Sequence, residues 1–228
     1  MLRIGAAAAL LLVVLAGPAL AGAWPREPGG VFLSLRIEDD GAASLYGEYG
    51  LSRRVTLGGQ VSTDERHEPD DRLDLPPPRD GRISAFTRLA LGPLEATNRF
   101  AFSLGISVPP DTVGMATRQR LEAGLHWGRG FESALGGGWA TATARLLRDP
   151  DEDRPITDLS GLVGIRPAPG TMAMLALSRW RDDDGTYWKL APSAGYELRP
   201  KLWLVPQVTR TFGDATETRT SLSLWLSF

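Results

Sequence analysis

From Thr218 to the last residue, Phe228, the chain alternates: Thr220, Leu222, Leu224, Leu226 and Phe228 fall on one face of an extended strand, and Ser221, Ser223, Trp225 and Ser227 on the other. A helix would scatter these residues around its axis, so period two selects a β-strand with one apolar face. The pattern recurs along the chain. It is clearest at Arg99–Val108, where Phe100, Phe102, Leu104, Ile106 and Val108 oppose Arg99, Ala101, Ser103, Gly105 and Ser107. Arg54–Thr63, Val31–Glu38 and Arg120–Trp127 are nearly as regular. Weaker alternation at Ala42–Tyr49, Arg82–Leu91, Gly138–Leu147, Thr157–Arg166, Thr171–Trp180, Tyr187–Leu198 and Leu202–Phe212 brings the expected number of strands to about twelve. Pro192 and Pro206 lack the N–H that a sheet ladder needs, so a bulge or break is expected near each.

The connections between these segments fall into two alternating classes. Glu38–Gly41, Asp64–Gly81, Pro109–Thr117, Asp149–Pro155, Asp182–Gly185 and Gly213–Glu217 are acidic and often long. Gly50–Arg53, Gly92–Asn98, Gly128–Glu132, Pro167–Gly170 and Arg199–Lys201 are mostly short and more often basic. An up-and-down barrel requires this alternation, because odd and even connections emerge at opposite ends. Segments of 8 to 12 residues also suit a tilted strand crossing a bilayer. An all-β, transmembrane, up-and-down antiparallel barrel of about twelve strands is therefore expected. A soluble barrel that wide would have to fill its interior with apolar side chains, and the face opposite the Leu and Val residues is rich in Gly, Ser and Thr.

The terminal strand, ending on Phe228, resembles the last strand of Gram-negative outer-membrane β-barrels, whose assembly machinery reads such an end as a signal. The resemblance implies short periplasmic turns, long extracellular loops and an outer-membrane location, with outer-membrane lipid, lipopolysaccharide and the assembly machinery as partners. At the other end, Arg3, the apolar run Ile4–Leu15, Gly17-Pro18 and Ala19-Leu20-Ala21 read as a secretory signal peptide over residues 1–21, leaving 22–228 as the barrel. Trp24, Tyr49, Trp127, Trp180, Trp188, Trp203 and Phe228 lie near expected strand ends, as an interfacial girdle would.

A net charge of −2 with no basic stripe argues against nucleic-acid binding, and the absence of cysteine excludes a disulfide framework, a thiolate metal site and a lipoprotein anchor. Of the two histidines, His67 stands in the long acidic loop with no strand-borne serine forced beside it, and His126 on the expected inner face, four residues after Glu122, at the periplasmic end of its strand and away from the outer leaflet, so no catalytic residue is assigned. Asp149, Asp151 and Asp153 have the opening spacing of an EF-hand loop, but Arg154 stands where glycine is needed and Ser160 where the bidentate Glu is needed. No metal or cofactor is expected.

The remaining candidate site is a set of residues on the expected lumen faces: Arg36, Arg54, Arg88, Arg99, Arg120, Glu122, His126, Arg145, Lys189 and Arg219. Either they pair with inward Glu38, Glu48, Glu122, Asp158 and Glu197 and rigidify a closed barrel, or surplus positive charge lines a passage that favours small anions. The second arrangement resembles in architecture the small twelve-stranded channels that admit acidic sugars. A narrow passive pore is the leading expectation. A non-conducting barrel acting through its acidic loops, a lipid-modifying enzyme and a soluble binder follow in that order.

Overall fold

The computed structural model describes residues 22–63, 81–108, 119–148, 154–183, 185–213 and 216–228. Residues 1–21, with the expected signal peptide, His67 in its loop, and the Asp149–Asp153 triplet all lie outside the described residues. The chain forms β1 (Val31–Glu38), β2 (Ala43–Gly50), β3 (Val55–Ser62), β4 (Arg82–Leu91), β5 (Asn98–Val108), β6 (Arg120–Ser133), β7 (Gly136–Arg148), β8 (Ile156–Ile165), β9 (Thr171–Arg181), β10 (Thr186–Arg199), β11 (Leu202–Gly213) and β12 (Glu217–Ser227). Each strand pairs antiparallel with its sequence neighbour, and β1 pairs with β12, closing the barrel. Closure leaves no sheet edge. Phe228 completes the seam, its N–H bonding the carbonyl of Val31 at 3.0 Å and its carbonyl accepting from the Val31 N–H at 2.7 Å.

Alternation sets the facing. Leu104, Leu121, Leu125, Leu146 and Leu224 are exposed on the outer surface, while Thr56, Ala101, Ser107 and Val205 are buried on the inner one. The outer surface is thus a belt of Leu, Val, Ile and Phe, the arrangement a bilayer requires. Arginine at Leu104, mid-strand and 58% exposed, is expected to cost about 2–4 kcal/mol. Arginine at Gln60, which faces inward with its side chain exposed, should cost far less. Urea unfolding in liposomes measures both, and equal penalties would overturn the facing. Ser103 and Ser223 are poorer inward controls, because Ser103 bonds His126 and Ser223 is buried.

Two local expectations need correction, and a third, a bulge or break near each proline, holds as a break. Gly128–Glu132 is not a turn: β6 runs on to Ser133, and a two-residue hairpin at Ala134 and Leu135 leads into β7. Five glycines from 128 to 138 suggest a loop by composition, yet the cross-strand pairing of β6 with β7 takes them into the ladder. For the same reason His126 sits mid-strand rather than at a strand end. Neither proline forms a bulge. Pro192 keeps register with Leu175 and Pro206 with Leu222, and the interruption falls on the β10–β11 seam, where pairing lapses between Leu190↔Arg210 and Ser193↔Gln207 and again before Tyr196↔Leu204. Both missing N–H groups face that one seam, so the loss is confined there. The register shift lies instead between Glu197 and Arg199.

The girdle is also smaller than expected. Tyr49, Trp188 and Phe228 are exposed on the outer surface, and Trp127 lies on that face. Trp24, Trp180 and Trp203 point inward. A strand end can present an aromatic to either face, and alternation counted from a poorly defined start does not say which.

Candidate functional site: the barrel interior

The inward face has two storeys. Toward the end where β1 begins and β12 ends, Trp139, Met172, Met174 and Val205 form a buried cluster, with Trp24, Leu162, Trp203 and Trp225 packed against it. Inward glycines here are not spacers for water. A Cβ on Gly58 would collide with the Phe86 ring, on Gly164 with Trp139, on Gly195 with Met172 and on Gly128 with Trp24. In the first three cases the large side chain belongs to the residue directly opposite on the next strand and leans over the glycine. Toward the other end, which carries the longer loops, the inward positions are mostly polar: Ser34, Arg36, Gln60, Ser84, Glu122 and Gln207 are among them.

The lower storey holds a segment that periodicity did not reveal. Residues Gly22–Glu27, ahead of β1, fold back into the barrel. Ala23 is 1% exposed, the Trp24 ring lies over Gly128 of β6, and the backbone N–H of Arg26 donates to Thr56 Oγ1 of β3 at 3.1 Å. Arg26 Nε donates to Glu48 Oε2 at 2.5 Å, and its guanidinium stands 4.5 Å over the Phe32 ring. Glu48, whose side chain is wholly buried, accepts also from the Tyr46 hydroxyl at 2.5 Å and from Arg88, which in turn donates to the Gly22 carbonyl. One carboxylate therefore holds two guanidiniums, and through them the strap is tied to β2 and β4. Phe86 stacks on Tyr46, and Phe32 packs edge-on between Tyr46 and Trp225.

The expected lumen residues separate into groups. Arg145 pairs with Asp158 and, at 3.6 Å, with Glu122. Arg36 pairs with Glu38 at 3.2 Å and donates to Ser221 Oγ at 2.8 Å. Arg219 pairs with Glu217 at 2.8 Å, Asp40 at 3.3 Å and Glu38 at 3.5 Å. Arg88 belongs to the strap knot. Arg120 is half-buried on the inner face of β6. Arg99 and Lys189 also face inward, and among the described residues neither has a side-chain partner. Arg54 is placed elsewhere: it is exposed in the β2–β3 turn and donates to the carbonyls of Gly92 at 2.8 Å and Ala90 at 3.5 Å. Near the seam, Asp39 accepts from the backbone N–H and hydroxyl of Thr220, which holds its carboxyl below the usual carboxylate range.

His126 Nε2 lies 2.8 Å from Ser103 Oγ, and Nδ1 lies 3.1 Å from Thr143 Oγ1. A serine beside an imidazole has the reach of a nucleophile and its base. The second ring nitrogen meets a hydroxyl rather than a carboxylate, however, so the imidazolium that such chemistry forms would lack a compensating charge. Among the described residues no group of three or more His, Cys, Asp or Glu is placed to hold a metal ion.

No protein-family model matches the sequence, and no curated protein matches it. Solved structures do match in fold. A KdgM porin in complex with disordered oligogalacturonate superposes with a TM-score of 0.64 at 8% identity, covering 87% of this chain and 99% of that one. The COG4313 outer membrane channel from Pseudomonas putida F1 gives 0.59 at 13% identity over 93% of this chain and 99% of that one. A NanC porin gives 0.57 at 7% identity over 87% and 98%. This chain has the fold of small outer-membrane porins. The apolar outer belt and these neighbours are together consistent with an outer-membrane location.

Proposed function

We propose that this chain is an outer-membrane channel for small hydrophilic solutes, with a preference for anions, narrowed at its periplasmic end by the Gly22–Glu27 strap. The observation that carries the reading is the polar upper storey, together with two inward cations that are unpaired among the described residues, Lys189 in that storey and Arg99 at the opposite end of the barrel. A lumen cation free of a carboxylate partner favours anions through the field it leaves in a water-filled passage. The KdgM porin above holds oligogalacturonate, a carboxylated sugar oligomer, and this supports the same solute class. The role is one of passage, and no bond chemistry is assigned. Export would remove residues 1–21, making Gly22 the mature amino terminus, and Phe228 would serve as the assembly signal.

The strap favours a second reading. Most inward charges here are paired, and the lower storey is packed, as in a barrel that conducts nothing and acts through its acidic extracellular loops. Single-channel recording in a planar bilayer separates the two. A channel gives resolvable steps and, under a salt gradient, a reversal potential on the anion side. Arg99→Ser with Lys189→Ser should reduce that preference, and the difference should shrink at 1 M salt, where the Debye length falls to about 3 Å. A silent bilayer supports the closed barrel, and cation preference would overturn the anion assignment.

A further inference from the structure

The outer surface is not uniform. Every Asp and Glu on a strand points inward, so among the described residues the outward face of the strands carries no acid. At the loop end, on one half of the barrel, the outward face nevertheless carries Arg148 of β7, Arg179 and Arg181 of β9, and Arg210 of β11. Their facing follows from their cross-strand partners. Arg148 is opposite the exposed Leu121, and Arg179 is opposite the exposed Leu159 and Trp188. Arg181 is opposite Thr157 and Thr186, and Arg210 opposite Leu190 and Thr218, donating to the Thr218 hydroxyl.

Below this arc the wall is hollowed. Across β6–β9 two neighbouring rows run Leu125–Ala144–Leu159–Arg179 and Trp127–Ala142–Gly161–Leu177, so Ala142, Ala144 and Gly161 floor a groove walled by leucines. Its volume is about 990 Å³, and Arg179 and Trp188 stand at one end, the guanidinium 5.8 Å over the indole. Unlike the inward glycines, Gly161 is not a socket: a Cβ there would meet nothing nearer than the Thr141 carbonyl at 3.6 Å. Its lack of a side chain leaves open space outside the barrel.

The geometry points to a docking face for a phosphorylated glycolipid of the outer leaflet, with acyl chain in the groove and phosphate against Arg179 and Arg181. Charge complementarity chooses the occupant. Guanidinium binds phosphate oxygens in a bidentate fork, and clustered arginines at a membrane surface select anionic headgroups. A lipid whose headgroup carries no net charge would offer Arg179 and Arg181 no counter-charge. The position at the long-loop end selects the outer leaflet, and so lipid A rather than an inner-leaflet phospholipid. This inference rests on the membrane orientation used in the proposed function, but not on conduction.

The test is native mass spectrometry of the full, folded protein in detergent, titrated with bisphosphorylated lipid A, with dephosphorylated lipid A and with phosphatidylglycerol. Folding is verified first for every variant by the gel shift between unheated and boiled samples. Co-migration of heated and unheated wild type would sink the membrane reading itself, whereas a shifted band that binds no lipid A sinks only the docking face. The wild type is expected to retain bisphosphorylated lipid A in preference to the other two. Arg179→Gln with Arg181→Gln should weaken retention about thirtyfold. Gly161→Leu, which fills the groove without striking backbone, should weaken it too, while Arg129→Gln, outward at the opposite end of the barrel, should not. Equal retention of dephosphorylated lipid A or phosphatidylglycerol, or losses at Arg129 matching those at Arg179 and Arg181, would overturn the assignment.

Discussion

Replacing Glu48 with glutamine will destabilise the barrel by about 3–5 kcal/mol, the range expected when one member of a buried ion pair is removed and its partners remain. Glu48 is the sole carboxylate among the described residues bonded to Arg26 and Arg88, both of which are nearly excluded from solvent at their side chains. The amide keeps the shape and one acceptor oxygen, so the loss reports charge rather than a cavity. Arg26→Met should be milder, because Arg88 still compensates the carboxylate and the methionine stem still covers the Phe32 ring. Urea unfolding in lipid vesicles measures both. A cost below about 1 kcal/mol for Glu48→Gln, the range of an exposed pair, would mean that water reaches the knot and the lower storey is not packed.

That knot was only half legible in the sequence. Arg88 and Glu48 each fall on the inner face by counting in twos from neighbouring leucines, and the number of strands, their closure and the outward leucine belt follow from the same count. Alternation gives a residue's face but not what stands across from it. Gly58, Gly164 and Gly195 therefore read as small lumen groups, and only the register shows that Phe86, Trp139 and Met172 cover them. Arg54 fails for a related reason: period two counted back from Val55 extends into a turn, where the backbone leaves the wall and parity loses its meaning. The strap lies beyond any such count. Gly22–Gly30 has no period, and its one sign was local, a tryptophan and an arginine set among prolines, where counting toward strand ends assigns Trp24 to the girdle instead. The outward arginines were visible too, but without cross-strand partners nothing shows that they lie on one rim.

Removing Gly22–Glu27 from the mature chain should raise conductance severalfold while leaving a heat-modifiable barrel. The strap crosses the lower storey from β3 and β4 to Gly128 on β6 and Thr141 on β7, so a passage at that level must go around it. It forms no strand and is no part of the β1–β12 seam, which runs from Phe32↔Ser227 to Glu38↔Ser221 and is completed by Val31 and Phe228. Its loss leaves Glu48 paired with Arg88, so the penalty should be smaller than that of Glu48→Gln despite the larger deletion. Deletion also uncovers Trp139, Trp203 and Trp225, and their emission should shift to the red as water enters. Conductance and emission together separate three cases. A rise in both marks the strap as the constriction. A red shift with a silent bilayer puts the closure in the upper storey, and no change in either means that the strap does not occupy the barrel in the membrane.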